Sequence, residues 1–445
     1  MLPLRTLTMS RNLSSRLTAL VPPSALTGTR KASTSAAVAK LLEKKPDDVV
    51  ITFAKRAPLG RAKKGQYKDV PVDEMLRAIL AATLQHTGID PSKIDDICVG
   101  TCHPPSPLYV SRAAALAAGI PPSVPISTVN RLCSSGLMSI RNIANAIKAG
   151  DVGLGFAVGV ENMTLNPRPS PEVTEAVSSH PKANDSIQPM GWTSERVAEH
   201  YKVPRAVQDA YALISHTRAQ KAVESGTFAS EIIPITLWNG LVLNADDTVR
   251  PGVTKESLSA LKPVFPQWGP KATALEAVEG SVLPPAESSS EASTTAGNAS
   301  GVGDGAAVVV LTTRARAEKE GWEVKGKWVG CDVVGVEPRY MGVGPIPAIR
   351  SVLGRYGLSK EEIDVYEINE AFASQFAYCV EELGIPMEKI NPNGGSIALT
   401  HPVGMTGTRQ VVSGLAELER TGGQLLCTSM CVGSGMGAAS VVVRE

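Results

Sequence analysis

The sequence predicts an α/β fold in which one structural unit is used twice. Three observations carry that reading. From Asp47 onward, short β-rich runs alternate with amphipathic helical stretches. A pattern in the first half of the chain recurs in the second. At 445 residues, the chain is too long for one small core. Alternation of this kind predicts helices packed on a mainly parallel sheet.

Taken in order, the first 42 residues stand apart. They hold Arg5, Arg11, Arg16, Arg30, Lys31 and Lys40, many Ser and Thr, and no acidic residue before Glu43. Residues 1–46 are read as a targeting segment of mitochondrial composition and left out of the fold. The expected address is the mitochondrial matrix, with the peroxisome as the alternative. Beyond it, IDDICVGTC (94–102) reads as a strand, the stretch from Ser111 to Gly119 as an Ala-rich helix, and VPISTVN as a strand again. After Cys133, Leu137, Ile140, Ala144 and Ile147 share one helix face, and Gly150 is the expected C-terminal cap. GLGFAVGVENM is a continuous apolar run, the kind of strand buried between helix layers.

The repeat follows. GIDPSKIDDICVG (88–100) is matched by GLSKEEIDVYEINEAF (357–372): a glycine, a short acidic turn, then an apolar strand. CSSG, a helix, a glycine and GFAVGVENM are echoed by GMTG, a helix, Gly422 and LLCTSMCVGSGM. Two copies about a pseudo-twofold axis bring equivalent loops face to face, so a site built from both is expected. The predicted halves are residues 47–165 plus 285–320, and residues 321–445. Between them, residues 166–284 are richer in Pro, His and charge and read as an inserted cap domain. Its most helical stretch is TSERVAEHYKVPRAVQDAYALISHTRAQKAV. Residues 267–293 read as a solvated low-complexity loop.

Bulk properties exclude several functions. A formal charge of +1 gives no basic face for nucleic acid, and no apolar stretch reaches membrane-spanning length. Seven scattered cysteines, an odd number, indicate reduced thiols in an intracellular compartment. Cys98, Cys102 and His103 lack a second ligand pair, so no metal is expected.

Four residues could carry chemistry. Cys133 lies where a strand gives way to a helix, and a helix N-terminus favours thiolate over thiol. Asn369 follows an apolar strand in EINEAFASQF. His401 sits among glycines in NPNGGSIALTHPVGMTGTRQ. Cys431 ends a strand at a Gly-rich turn in CTSMCVGSGMGAA. Strand ends are where α/β folds collect ligands, and glycine lets backbone N–H groups approach a substrate.

At these residues the chain resembles a known family. VNRLCSSG, QPMGWTSE, TAGNASGVGDGAA, YMGVGPIPAI, INEAFA, GGSIALTHPVGMTGTRQ and MCVGSGMGAA match, in order, motifs of the thiolases. The likeness is to the degradative 3-ketoacyl-CoA thiolases, especially their peroxisomal-type branch, from about Asp47 to Glu445. It implies two duplicated α/β halves in a layered αβαβα core, with a cap contacting CoA. It further implies thiolytic cleavage of 3-ketoacyl-CoA in fatty-acid β-oxidation, with CoA as co-substrate and no resident cofactor. Cys133 would take the acyl group and His401 would be its base. Asn369 would fix a water beside the leaving enolate. Cys431 would protonate C2 and then activate the incoming CoA. Backbone N–H groups of Cys133 and Gly433 would hold the oxyanion. Arg250, Ser257, Met190, Ala296 and Ser300 fall where the family contacts CoA, and a homodimer or tetramer is implied.

The sequence also departs from the family. Thr400 stands where Gly usually precedes His-Pro, Met405 replaces a frequent Cys, and Ser434 and Met436 alter the last motif. Alternatives are an acetoacetyl-CoA thiolase and a catalytically silent CoA- or lipid-binding relative. A papain-like hydrolase would share Cys, His and Asn, but its local cysteine signature is absent. The branch's peroxisomal signal begins correctly at Arg16-Leu17, yet Pro23 and Ser24 occupy its closing positions. Pro22 and Pro23 would break the helix on which that signal is read, which favours the matrix expectation. The C-terminal VVVRE is not a peroxisomal tripeptide.

Overall fold

The computed structural model describes residues 35–269 and 292–445. Most of the predicted targeting segment and the centre of the predicted low-complexity loop lie outside them. Among the described residues one sheet of ten strands dominates. Nine of these strands form its path: β1 (Val49–Arg56), β2 (Asp96–Gly100), β3 (Ile126–Val129), β4 (Leu154–Asn162), β5 (Gly303–Thr313), β6 (Gly326–Gly335), β7 (Val365–Ile368), β8 (Leu425–Val432) and β9 (Met436–Arg444). Their spatial order is β7-β8-β9-β6-β1-β5-β4-β2-β3, and Gly60–Arg61 adds a short edge on β5.

The duplication is visible in that order. The two halves of the sheet meet only where Val50 and Ile51 of β1 pair with Lys327 and Gly326 of β6. Outward from this seam, the first half runs β1-β5-β4-β2-β3 with two antiparallel pairings and then two parallel ones. The second half runs β6-β9-β8-β7 with two antiparallel pairings and then a parallel one. A parallel bridge from Tyr366 to Ile390 stands where the fifth strand would be. A matched hydrogen bond marks the copies. Asp95 accepts from the N–H groups of Gly153 and Leu154 at the start of β4. Asp364 accepts from Gln424 and Leu425 at the start of β8.

The expectation of a mainly parallel sheet is corrected. Most pairings are antiparallel: β8 and β9 form a hairpin, while β1 with β5, β4 with β5 and β6 with β9 pair strands far apart in sequence, whose direction no local signal sets. Alternation of strand and helix signals says nothing about such hairpins.

Three main cores pack helices on the two outer faces of the sheet and between its two halves. On the outer face of the first half lie α1 (Val72–Thr87) and α2 (Pro107–Ala117). Met75, Leu76, Ile79 and Leu80 of α1 pack there on Phe156, Val158, Val308 and Val310. On the outer face of the second half lie α6 (Pro345–Tyr356) and α7 (Ala373–Leu383), packed through Ile349, Val352, Phe376 and Val380. Between the two half-sheets run α3 (Ser135–Ala149) and α8 (Thr406–Thr421). Their Leu137, Ile140, Ala144, Val411, Leu415 and Leu418 meet strand residues of both halves. Truncating one of these buried leucines to Ala costs about 2–5 kcal/mol.

The first turns of α3 and α8 touch. A Cβ on Gly136 would sit 2.6 Å from Thr408 Oγ1 and 2.7 Å from the Gly404 carbonyl. A Cβ on Gly407 would overlap the Leu137 backbone. Glycine at both places lets the two halves close on one another where the site is built. The stretch that reads as continuously helical in the cap is two helices, α4 (Met190–His200) and α5 (Arg205–Glu224). Pro204 separates them, because proline disfavours helical backbone in the residue before it.

Candidate active site

Cys133 lies two residues before α3 in a turn that its neighbours hold. Leu132 takes a left-handed φ of 46°. Ser135 Oγ donates to the Leu132 carbonyl and accepts from Arg131 N–H. Ser134 Oγ donates to the Arg131 carbonyl, and Asn130 Oδ1 accepts from Leu132 N–H. The polar residues flanking the cysteine therefore fix a sharp bend and aim its side chain at the second half.

Burial pushes the Cys133 thiol up. The N–H groups of Gly433 and of Cys133 itself pull it back down, and the charge of Arg168 adds to that pull. Both backbone N–H groups therefore favour the charged form of the sulfur. Gly433 approaches closely: a Cβ there would be 2.9 Å from Leu132 and 3.5 Å from the Met190 sulfur. Cys431, near the end of β8, is fully buried beside Met341 and Ala371. Burial raises its thiol well above the ordinary value, and the Cys133 thiol raises it further.

His401 is held from both ring nitrogens. Thr406 Oγ1 donates to the Pro402 carbonyl, so its lone pair accepts Nδ1–H of His401 at 2.6 Å. That fixes the tautomer and leaves Nε2 as the acceptor, which Asn369 Nδ2 approaches at 3.3 Å. Asn369 is oriented in turn by Ser396 Oγ, which donates to its Oδ1 at 2.6 Å. Burial, helped by Arg409 and His103, lowers the His401 pKa to about 3. The ring is a neutral acceptor at physiological pH.

Sequence reasoning missed several supports. Thr406 and Ser396 lie in the same motif as His401, and short hydroxyl residues flanking a buried His were the available signal. Cys102, read only as part of a weak metal-like cluster, donates to the Leu132 carbonyl beside the nucleophile. Glu161, at the end of the apolar run, accepts from the N–H groups of Cys102, His103 and Gly404, and burial pushes it up to about 7. It straps the nucleophile's neighbourhood to the loop after His401. Glu370 accepts from Ser215 Oγ, Asn391 Nδ2 and Ile397 N–H, holding the His401 loop against the cap.

The residues expected at CoA scatter in role. Met190 opens α4 against Gly433. Arg250 lines a cavity of about 620 Å³ whose wall includes Thr400 and Ala398. Ser300 N–H donates to the Ala371 carbonyl, and Ala296 is exposed. Ser257 Oγ closes a capping box with Thr254 on the short helix Lys255–Ser259, so its hydroxyl already has a structural partner. Thr400 adopts φ 76° and ψ 168°, a region otherwise left to glycine. Its side chain fits only because Gly301 and Gly303 carry none. Ser434 likewise has a φ of 67°.

Comparison with known proteins agrees along the whole core. Residues 49–279 match the family model "Thiolase, N-terminal domain" and residues 322–444 match "Thiolase, C-terminal domain". A mouse protein named "3-ketoacyl-CoA thiolase B, peroxisomal" is 44% identical over 414 residues, covering 91% of this chain and 92% of its own. The dimeric peroxisomal thiolase of Saccharomyces cerevisiae superposes with a TM-score of 0.83 at 41% identity, over 92% of this chain and all of that one. Human mitochondrial 3-ketoacyl-CoA thiolase in complex with CoA superposes at 0.77 and 31% identity, over 91% of this chain and all of that one. The relatives at 41–44% identity are named peroxisomal, which overturns the matrix expectation and points to the peroxisome. The physical reason is that a basic, acid-free leader reports its charge and not which receptor reads it.

Proposed function

The chain belongs to the thiolase family, and on that premise we propose how its residues divide the reaction. The activity is that of a 3-ketoacyl-CoA thiolase, an acyltransferase that cleaves 3-ketoacyl-CoA with CoA into acetyl-CoA and a shortened acyl-CoA. Cys133 gives its proton to His401 Nε2 and attacks C3. The C2–C3 bond breaks, and its electron pair leaves as the enolate of acetyl-CoA. Cys431 protonates C2 and becomes the base that takes the proton of the incoming CoA thiol. That thiolate attacks the acyl-Cys133 thioester, and the sulfur of Cys133 departs. The N–H groups of Cys133 and Gly433 hold the oxyanion at each attack, while His401 and Asn369 stabilise the enolate.

The observation that carries this reading is a buried His401 whose Thr406 partner leaves Nε2 as the acceptor, held against Asn369, together with the backbone N–H groups of Gly433 and Cys133 that favour the charged Cys133 sulfur. Arg250, Met190 and Ser300 serve CoA, with Ser257 and Ala296 at the margin. Residues 47–165 plus 285–320 act as one half, 321–445 as the other and 166–284 as the cap; β5 pairing with β1 and β4 supports that division. The working form is a homodimer, as its S. cerevisiae relative is described. Loss of 3-ketoacyl-CoA enolate absorbance on adding CoA tests the activity. An absorbance that stays constant with CoA present contradicts it.

A further inference from the structure

The cavity at Arg250 carries more than that one arginine. Its wall also includes Arg61, Lys63, Lys64 and Arg168, and no Asp or Glu lines it. Arg61 is spent on the Asp247 carbonyl. Lys63, Lys64, Arg168 and Arg250 pair with no carboxylate among the described residues, and one nitrogen of Arg168 makes only long contacts, 3.4 and 3.3 Å, to the Ile187 and Gln188 carbonyls. The loop that presents the lysines is built rather than loose. Asp247 accepts from the N–H groups of Arg61 and Gln66, and Lys63, at a left-handed φ of 65°, donates its N–H to Thr164. The acid that shapes the loop thus spends its oxygens on backbone and neutralises none of the lysines.

Besides Thr400, whose Oγ1 is also unpartnered, two lining residues keep buried polar atoms without partners: Thr248 Oγ1 and His216 Nδ1. Thr248 and His216 are each 4% exposed. His216 Nε2 lies 3.1 Å from the Gly297 carbonyl, which can only accept, so Nε2 carries the proton and Nδ1 awaits a donor. Orphaned buried polar atoms call for a ligand or water to complete them. The wall ends at Thr400, the residue before His401. A cationic rim, an inner acceptor and a floor beside the active histidine match a ligand with several phosphate charges, a stem bearing amide and hydroxyl donors, and a reactive tip.

We propose that Lys63 and Lys64, from the first half, and Arg168, from the start of the cap, join Arg250 in holding the phosphate groups of CoA's nucleotide end, with the pantetheine stem running past Thr248 and His216. This rests on the thiolase reading and extends it, through the two lysines, to residues outside the cap. Guanidinium and ammonium groups on several phosphate oxygens are a strong, charge-assisted arrangement.

The test compares two thiol acceptors in the intact enzyme: CoA, and pantetheine, which has no phosphate. In a Lys63→Ala/Lys64→Ala variant with unchanged melting temperature, KM for CoA should rise about tenfold, while kcat/KM for pantetheine matches the wild type. The wild-type KM for CoA should also rise with salt, more steeply than that of the variant. An unchanged KM for CoA overturns the proposal. Equal losses with both acceptors also overturn it, by assigning the loop a structural role. Inorganic phosphate bound by the wild type but not by the variant, with KM for CoA unmoved, would assign the cavity to a free anion instead. Wild-type enzyme that fails to cleave 3-ketoacyl-CoA at all would refute the thiolase reading itself, a separate outcome.

Discussion

Counting from the twin aspartates, the two halves can be compared position by position. Gly100 and Asn369 each lie five residues after Asp95 or Asp364. Val160 and Cys431 each lie six residues after Leu154 or Leu425, whose N–H groups those aspartates receive. Cys133 and Gly404 each stand two residues before the paired helices α3 and α8. At all three places the backbone is the same and the chemistry differs. Of the reacting side chains, the first half contributes only the acyl-accepting thiol. The second carries the groups proposed to move protons and stabilise charge. Duplication supplied a frame held by repeated backbone contacts, and the reactive side chains sit at positions where its other copy is inert.

The comparison breaks most sharply at Cys133. Cys133→Ser should lower thiolysis on the order of 10⁴-fold or more, because a hydroxyl ionises far less readily than a thiol under the same neutral histidine. Steady-state turnover on a 3-ketoacyl-CoA measures it, with circular dichroism to show that the fold persists. Retained turnover would move the nucleophile out of the first half.

The shared frame is tested at the glycines. Gly136→Ala and Gly407→Ala should each destabilise by about 1–3 kcal/mol, since each Cβ meets backbone of the other half. Urea midpoints compare them. A neutral effect at one position would show that the two helix turns are not equivalent.

A smaller effect separates the halves by pH. His401 is neutral when folded, with a pKa near 3, and titrates at its ordinary value of 6.5 when unfolded. Between those values the unfolded chain binds the additional proton, so stability rises with pH and is lost as pH falls from about 6.5 toward 3. Relative to wild type, His401→Gln should lose less melting temperature between pH 7 and pH 5. Parallel losses in both proteins would mean that the histidine is solvated in the folded state.

Much of this frame was legible from residues. The all-buried β4, the face of α3 and its Gly150 cap follow from apolar run, periodicity and a glycine at φ 87°. The grouping of Cys133 with His401, Asn369 and Cys431 was implied by the resemblance of their motifs, and of these contacts the one between Asn369 and His401 is seen, at 3.3 Å. Strand direction was not legible, because a hairpin and a crossover can share the same apolar pattern. Glu161 and Cys102 were not legible either: their partners are backbone groups brought together by folding, which leave no spacing in the sequence. The strain at Thr400 is a tertiary fact, tolerated because Gly301 and Gly303 make room.

The division of labour between the two thiols is tested most directly in a Cys431→Ala variant, by intact-peptide mass and deuterium exchange in the same sample. With acyl-CoA, the peptide containing Cys133 should still gain one acyl mass, while exchange at C2 of acetyl-CoA in D₂O should fall by at least about 100-fold. Loss of acylation and exchange together, or acyl mass on another cysteine, would contradict the assignment of carbon transfer to the first half and proton transfer to the second.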